Sequence, residues 1–202
     1  SIIGSAELLE NGLVKPEDQP RFLNRIHQEA DRLVALINDI LRLSQLDEGG
    51  ALPHEQVSVL ELAQEAARSL TAQAAAQAVH ISVTGTAGTV FGVRRLLYEI
   101  ARNLCENAVK YNVPGGSVTV EVAETDRDVA LLVRDTGIGI PEGDQSRVFE
   151  RFYRVDKSHS RAIGGTGLGL SIVKHGALLH NAQIYLNSQV DRGTSIRISF
   201  PK

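Results

Sequence analysis

The chain has 202 residues, of which 43% are hydrophobic, and its formal net charge is -3. This length allows one or two domains with a hydrophobic core. The slightly acidic balance argues against nucleic acid as the main partner, because proteins that bind it usually show a basic patch or stripe. A single cysteine, Cys105, excludes a disulfide framework and fits a reducing compartment.

The sequence predicts neither a membrane span nor a signal peptide. No window approaches the roughly 18 apolar residues of a spanning helix. The chain begins with Ser1 and contains no methionine. We therefore expect a fragment of a longer protein, and the absence of an anchor here says little about the parent.

The first 48 residues predict a helical hairpin. Pro16, followed by two acidic residues, is typical of a helix start, and the helix should run to about Asp47. Its apolar residues alternate spacings of three and four, as in a heptad seam: Leu23, Ile26, Ala30, Leu33, Ile37 and Ile40. A second apolar stripe makes the apolar surface of the helix too broad for a simple two-stranded coiled coil, so we expect a dimeric four-helix bundle. An intramolecular helix pair that caps the next domain is the alternative.

A linker with two glycines and a proline is predicted at 49–56, and the pattern changes after it. In the remaining domain, 57–202, helices are predicted at 60–78, 93–111 and 167–180, and strands at 80–84, 89–91, 117–124, 129–135, 183–188 and 194–200. We expect an antiparallel or mixed sheet covered by helices, which is an α+β sandwich. The irregular stretch at 136–165 is long enough to indicate a functional loop.

One face of the second predicted helix in this domain is polar. At 100° per residue, Glu99, Asn103, Asn107 and Lys110 lie within about 80° of one another. Amide oxygens suit Mg²⁺, which prefers a few protein oxygens together with phosphate and water, and a nearby carboxylate can polarise water or an imidazole. Lys110 can pair with phosphate, and Tyr111 offers a ring beside a nucleobase. A solvated face of an amphipathic helix is the alternative.

Asp135 ends an apolar strand at period two, so its side chain shares the apolar face. A carboxylate there needs a hydrogen-bond partner, because burying it bare is costly. The partner is either a structural donor, as in an Asp that caps a turn, or the exocyclic amine of a base. Gly137 and Gly139 follow at once and leave room for a planar ligand.

Two further motifs complete the pattern. The stretch 147–157 mixes aromatic and basic residues, and we expect its aromatics to be buried anchors and its arginines to meet a triphosphate. The glycine run at 164–170 opens a helix, where backbone N–H groups and the helix dipole favour a polyphosphate. It lacks the Lys-Ser or Lys-Thr pair of a Walker A loop. Together the four elements indicate an ATP site.

These motifs resemble the catalytic core of a bacterial sensor histidine kinase, from the superfamily that also holds gyrase and mismatch-repair ATPases. Residues 99–112 resemble the family's N box, and residues 135–140 its first glycine box. Residues 149–154 resemble the F box, residues 165–170 the second glycine box, and residues 193–194 a late Gly-Thr element. The hairpin resembles the dimerisation and phosphotransfer module. The resemblance implies a dimeric four-helix bundle at 1–48 and an ATP-binding α/β sandwich of the Bergerat type at 57–202.

The resemblance also implies roles for particular residues. Glu99 would be the base or orienter for the acceptor, and Asn103 the principal Mg²⁺ ligand with Asn107 beside it. Asp135 would accept from the adenine amino group, and Arg154 would approach the γ-phosphate. The whole implied ATP site comprises Asn103, Asn107, Lys110, Tyr111, Asp135, Gly137, Gly139, Ile140, Arg154, Gly165, Thr166, Gly167, Leu168, Gly169 and Thr194.

One departure concerns the phosphoacceptor. The family's His-Glu-x-x-x-Pro box lies near the start of the first hairpin helix, and this chain opens with residues similar to those just after it. We expect the acceptor to lie outside the chain. His27 lacks the following proline of the box, and the remaining histidines, including His180, are expected to be structural or surface residues.

The resemblance implies ATP and Mg²⁺ as cofactors, and it implies autophosphorylation followed by transfer to the receiver domain of a response regulator. It also implies a homodimer through the hairpin, no nucleic-acid partner, and a cytoplasmic core whose parent is anchored in the bacterial inner membrane. Two rivals differ in function. One is a dimeric scaffold that binds nucleotide without transferring phosphate, and the other is an ATPase that hydrolyses rather than phosphorylates.

Overall fold

The computed structural model describes residues 1–47, 53–155 and 166–202. These residues form two compact units. The first contains the two N-terminal helices, and the second contains every later helix and strand. The predictions made for 48–52 and 156–165, which include the glycines of the linker and Gly165, lie outside the described residues.

The N-terminal unit is the predicted helical hairpin. Helix α1 spans Ile2–Glu10, and the Ser1 hydroxyl caps it by accepting from the Gly4 N–H at 3.1 Å. Helix α2 spans Gln19–Asp47 and begins about three residues later than predicted. The reason is that Pro20, which has no N–H to satisfy, occupies the first helical turn in place of Pro16.

The second unit contains the ATP-site motifs. Its elements in chain order are β1 (Glu55–Ser58), α3 (Val59–Ser69), α4 (Thr71–Ala76), β2 (His80–Gly85), β3 (Thr89–Gly92), α5 (Arg94–Lys110), β4 (Ser117–Glu124), β5 (Asp128–Asp135), α6 (Glu142–Gln145), α7 (Gly169–Leu179), β6 (Gln183–Gln189) and β7 (Gly193–Pro201). Helices α3 and α5 pack against the sheet, and α7 packs against α5.

Five strands form a mixed sheet in the order β2-β4-β5-β7-β6. The pair β2–β4 is parallel and the other three pairs are antiparallel. Alternate side chains of the central strands are fully buried beneath the helices, for example Val120, Leu131 and Ile198. The predicted α+β sandwich is therefore confirmed.

The second unit also differs from the sequence prediction at its first helix and its first strand, and the short helix α6 lies within the stretch predicted to be irregular. The helix predicted at 60–78 is broken at Leu70, where the hydroxyls of Ser69 and Thr71 donate back to helix carbonyls at 2.7 and 3.0 Å. Such bonds compete with the helical ladder and favour a bend. Strand β1 begins inside the predicted linker and pairs antiparallel with β3. A four-residue strand whose partner lies more than 30 residues away leaves little local signal.

Candidate active site

Helix α5 carries a polar face beside its buried apolar stripe. Glu99 is only 9% exposed, although it is ionisable. The Asn103 amide nitrogen donates to the Glu99 backbone carbonyl at 2.8 Å. This bond fixes the rotamer of the amide, so that its carbonyl oxygen Oδ1 is presented away from the helix backbone.

The beginning of α7 lies against this oxygen. A Cβ atom built on Gly169 would be 2.9 Å from Asn103 Oδ1 and 3.7 Å from Asn107 Nδ2. Only glycine leaves this contact undisturbed. Leu168, the N-cap residue of α7, is fully buried and has no polar side chain with which to cap the helix. The N-terminal end of the α7 dipole and the amides of Asn103 and Asn107 thus lie close together.

The second half of the site surrounds the carboxylate that ends β5. Asp135 Oδ1 accepts from the backbone N–H groups of Gly137 at 2.8 Å and Thr194 at 3.2 Å. Burial raises the pKa of Asp135, and these two donors oppose that rise. Since both donors reach the same oxygen, Oδ2 accepts no hydrogen bond among the residues that the structure describes.

The first glycine segment, 137–140, is held between α5 and the sheet. The Ile138 N–H donates to the carbonyl of Tyr111 at 3.1 Å, and the Ile140 N–H donates to Ser188 Oγ at 2.8 Å. Gly139 has a φ of +68°, and a Cβ there would lie 2.0 Å from the carbonyl of Gln189. A side chain at this position would therefore be both strained and excluded.

Two cations lie near Tyr111, at the C-terminal end of α5. Lys110 Nζ is 5.3 Å from the centre of the Tyr111 ring, within the range of a cation–π contact. Burial raises the pKa of Tyr111, while the positive charge of Arg154 lowers it. The structure therefore places Lys110 and Arg154 in the same neighbourhood as the ring.

The aromatic-basic stretch meets the second glycine run through the backbone. The Phe152 N–H donates to the carbonyl of Gly167 at 2.9 Å, and both residues have positive φ, at 64° and 76°. The Phe152 side chain is 56% exposed, so the expectation that this aromatic is a buried anchor is wrong. Val148 is the buried residue of this segment instead, at 8% exposure.

Three residues that hold the site together were not singled out for it by the sequence. Ser188 and Gln145 fasten the 137–140 segment to β6, because the Gln145 amide donates to the carbonyls of Ile140 and Ser188 at 3.0 and 2.9 Å. His180 Nδ1–H donates to the Gly176 carbonyl at 2.7 Å, and its Nε2 accepts from the N–H of Val93 at 3.0 Å. It thus ties the end of α7 to the start of α5. No local motif marks these residues.

The donor set suits Mg²⁺ better than a transition metal. Over the described ranges, no group of three or more histidine, cysteine, aspartate or glutamate side chains could hold a metal ion. Mg²⁺ is usually held by one or two protein oxygens together with substrate phosphates. The oxygen of Asn103, which is oriented by its amide hydrogen bond and lies close to the start of α7, fits this pattern.

The sandwich, the polar face of α5, the half-buried carboxylate of Asp135 and the two glycine segments define an ATP-binding domain. Residues 92–202 match the family model for histidine kinase-, DNA gyrase B-, and HSP90-like ATPases, and residues 1–49 match that of the His Kinase A (phospho-acceptor) domain. The chain belongs to the family of histidine kinase-, DNA gyrase B- and HSP90-like ATPases, in the two-domain arrangement of sensor histidine kinases.

Known sensor kinases are similar along nearly the whole chain. The sensor-like histidine kinase SenX3 of Mycolicibacterium smegmatis is 38% identical over 208 residues, which cover 99% of this chain and 54% of SenX3. The sensor histidine kinase WalK of Bacillus subtilis is 32% identical over 209 residues, covering 96% of this chain and 33% of WalK. The chain thus spans about half or less of the length of these relatives.

Solved structures share the fold. The mycobacterial sensor histidine kinase MprB is 30% identical, with a TM-score of 0.65 over 74% of this chain and 97% of that one. Full-length ShkA in complex with AMPPNP is 25% identical, with a TM-score of 0.76 over 99% of this chain and 42% of ShkA. ThkA in complex with the response regulator protein TrrA is 20% identical, with a TM-score of 0.78 over 100% of this chain and 56% of that one, and shows the fold alone. Among the described residues, no helix has the length and apolar character needed to cross a membrane.

Proposed function

We propose that this chain is the core of an ATP-dependent protein-histidine kinase, which transfers the γ-phosphate of ATP to a histidine of the dimerisation helices. A response regulator would then receive the phosphoryl group on an aspartate. The observation that carries the proposal is the close approach of the start of α7, at Gly169, to the oriented amide oxygen of Asn103, because a helix start can bind phosphate and an amide oxygen can bind Mg²⁺.

Phosphoryl transfer depends on positioning and on neutralising charge, with little covalent participation by the protein. Bound Mg²⁺ would supply that charge at the phosphates, held by Asn103 as the principal ligand with Asn107 beside it. Glu99, nearly buried one turn before Asn103, would orient the incoming imidazole and hold its proton. Lys110 and Arg154 would meet the phosphate oxygens from the side of Tyr111.

The base would be bound at the other end of the site. Asp135 Oδ2 would accept from the adenine amino group, with the Tyr111 ring beside the base. Gly137, Gly139, Ile140 and Thr194 would line this part of the pocket. The second glycine run, comprising Gly165, Thr166, Gly167, Leu168 and Gly169, would close over the phosphates. Gly165 lies outside the described residues, and Thr166 is the first described residue after it.

The helical hairpin would form the homodimer. Among the α2 side chains whose exposure the structure describes, four apolar ones are at least half exposed within one chain, as expected of a surface that a second copy covers: Leu23, Leu33, Val34 and Ile37. We place the domain boundary within the predicted linker 49–56, before β1 begins at Glu55. We place the acceptor histidine outside this chain, and the core on the cytoplasmic side of a membrane-anchored parent. A receiver domain would dock on the bundle, and no nucleic acid takes part.

A subunit-mixing experiment tests the proposal. This chain is mixed with a version extended upstream to include the expected acceptor and carrying Asn103→Asp, and radiolabelled ATP and Mg²⁺ are added. An aspartate at 103 cannot donate to the Glu99 carbonyl and would be repelled by it, so its oxygen leaves the place that Asn103 holds. The extended chain with Asn103 intact is tested alone in parallel.

We expect acid-labile label on the extended Asn103→Asp chain if transfer crosses the dimer, or only on the intact extended chain if transfer stays within one subunit. Label on neither would contradict the kinase assignment. In that case, steady release of phosphate would indicate an ATPase. Nucleotide binding without phosphate release would indicate a scaffold.

A further inference from the structure

We propose that Ser188 determines base specificity by fixing the direction of the Thr194 hydroxyl, so that Asp135 and Thr194 present only hydrogen-bond acceptors to the purine. Ser188 is then a positioning residue that favours a 6-amino purine over a 6-oxo purine. The inference rests on the base-reading role proposed for Asp135, and it adds a residue and a mechanism to that role.

The hydroxyl of Ser188 has three partners. Its oxygen accepts from the N–H of Ile140 at 2.8 Å, lies 3.1 Å from the carbonyl oxygen of Gly193, and lies 2.8 Å from Thr194 Oγ1. A serine hydroxyl has one hydrogen to donate and two lone pairs that accept. The Gly193 carbonyl can only accept, so it takes the hydrogen of Ser188. One lone pair accepts from Ile140.

Thr194 must therefore be the donor in its contact with Ser188. All three contacts of Ser188 are satisfied only when the Thr194 O–H points at the second lone pair of Ser188. The remaining lone pairs of Thr194 then face away from Ser188, and its hydroxyl cannot donate to anything else. The backbone N–H of Thr194 donates to Asp135 Oδ1 at 3.2 Å, and this bond holds Thr194 beside the Asp135 carboxylate.

The result is an acceptor-only surface. Asp135 Oδ2 carries no hydrogen when ionised, and the only hydrogen of the Thr194 hydroxyl is used by Ser188. A 6-amino group donates to such a surface. A 6-oxo group meets lone pairs without a hydrogen between them, which leaves its carbonyl oxygen without a donor.

Gln145 fixes the position of Ser188 relative to Ile140. Its amide nitrogen donates both hydrogens, one to the carbonyl of Ile140 and one to the carbonyl of Ser188, at 3.0 and 2.9 Å. Ile140 is thus tied to β6 through both its N–H and its carbonyl. This clamp keeps the N–H of Ile140 on Ser188, so the second lone pair of Ser188 remains for Thr194.

The test compares ADP with inosine diphosphate, which carries a 6-oxo group in place of the 6-amino group. Dissociation constants are measured by calorimetry for the whole chain, for Ser188→Ala and for Ser188→Thr. Ser195→Ala is the matched control, because Ser195 lies on the adjacent strand β7 and is likewise half-buried but has no side-chain hydrogen bond in this network. Melting temperatures show that each variant is folded at the temperature of the titration.

We expect Ser188→Ala to reduce the preference for ADP over inosine diphosphate by about fivefold, since its Thr194 hydroxyl is free to turn and donate. Ser188→Thr retains a hydroxyl and should keep the preference, as should Ser195→Ala. An unchanged ratio in Ser188→Ala would overturn the inference, even if both affinities fell, because that result indicates only a structural role. Failure of the unaltered chain to prefer ADP would instead overturn the base-reading role of Asp135.

Discussion

Gly169→Ala should weaken the metal-dependent binding of nucleotide while leaving the free energy of unfolding nearly unchanged. The added methyl group would lie 2.9 Å from Asn103 Oδ1, which is the free end of a side chain and can move. Its displacement would break the Asn103 hydrogen bond to the Glu99 carbonyl. A hydrogen bond of this kind contributes about 0.5–1.5 kcal/mol, while replacing a helical glycine by alanine gains about 0.5–1 kcal/mol. The net change in the free energy of unfolding should therefore be close to zero.

The effect on the nucleotide should be much larger and should depend on metal. If Asn103 is a ligand, loss of its oxygen removes a contact to a charged group worth about 1.5–3 kcal/mol, or roughly 10- to 100-fold in affinity. The measurement is the calorimetric affinity for ADP with and without Mg²⁺. Because the methyl group points at Asn103, binding without metal should change little.

Gly143→Ala is the matched control for this variant. Gly143 is also helical, and a Cβ there would meet nothing within 4 Å. It should stabilise the domain slightly and leave both titrations unchanged. An equal loss of ADP affinity with and without Mg²⁺ in Gly169→Ala would contradict the role of Asn103 as a metal ligand. A decrease of more than about 2 kcal/mol in the free energy of unfolding would contradict the expected neutral effect on the fold.

Three further predictions concern polar groups that are buried or half-buried. In Asp135→Asn, the side-chain oxygen can still accept from both backbone N–H groups, so the fold should be retained. Its affinity for ADP should fall, while its affinity for GDP should not. Asp135→Ala should also lower the melting temperature, because both donors lose their acceptor. Equal losses for ADP and GDP in Asp135→Asn would contradict the base-reading role. Burial lowers the pKa of His180 from 6.5, so the unfolded chain binds its proton first as pH falls. The free energy of unfolding should therefore decrease as the pH falls from about 6.5 to the folded-state pKa of His180. Chemical denaturation across that range should show this pH dependence in the unaltered chain and not in His180→Gln. An equal pH dependence in both proteins would contradict the lowered pKa of His180. Burial raises the pKa of Cys105 to about 12, so a maleimide at pH 8 should label the chain only when it unfolds, and rapid labelling of the native protein would contradict the buried position.

Local chemistry was sufficient to predict most elements of the ATP-binding domain. The helix with the polar face was expected at 93–111 and spans Arg94–Lys110, because its apolar and polar residues recur at the helical period. The hairpin of β4 and β5 follows the alternation of its side chains in the same way. Asp135 could be predicted as a candidate site residue because a carboxylate that ends an apolar strand needs a hydrogen-bond partner. Only the two-residue period of a strand was needed for that prediction.

Other features depend on contacts between distant parts of the chain and leave no local pattern. Strand β1 forms only because β3 supplies its hydrogen bonds. Phe152 looked like a buried anchor, but its positive φ and its backbone bond to Gly167 accompany a side chain that is more than half exposed.

The sequence by itself predicted which residues bind a nucleotide, because glycine, asparagine and aspartate at these spacings supply the backbone N–H groups and side-chain oxygens that such a site needs. Only the tertiary structure decided which way their atoms point. The Asn103 amide is oriented by a carbonyl of its own helix, and Asp135 is oriented by an N–H from a strand 59 residues later. The role that we propose for Ser188 could be inferred only from the fold, which places its hydroxyl between Ile140 and Thr194. Hydrogen-bond direction is a property of three-dimensional neighbours, and for that reason no spacing along the chain encodes it.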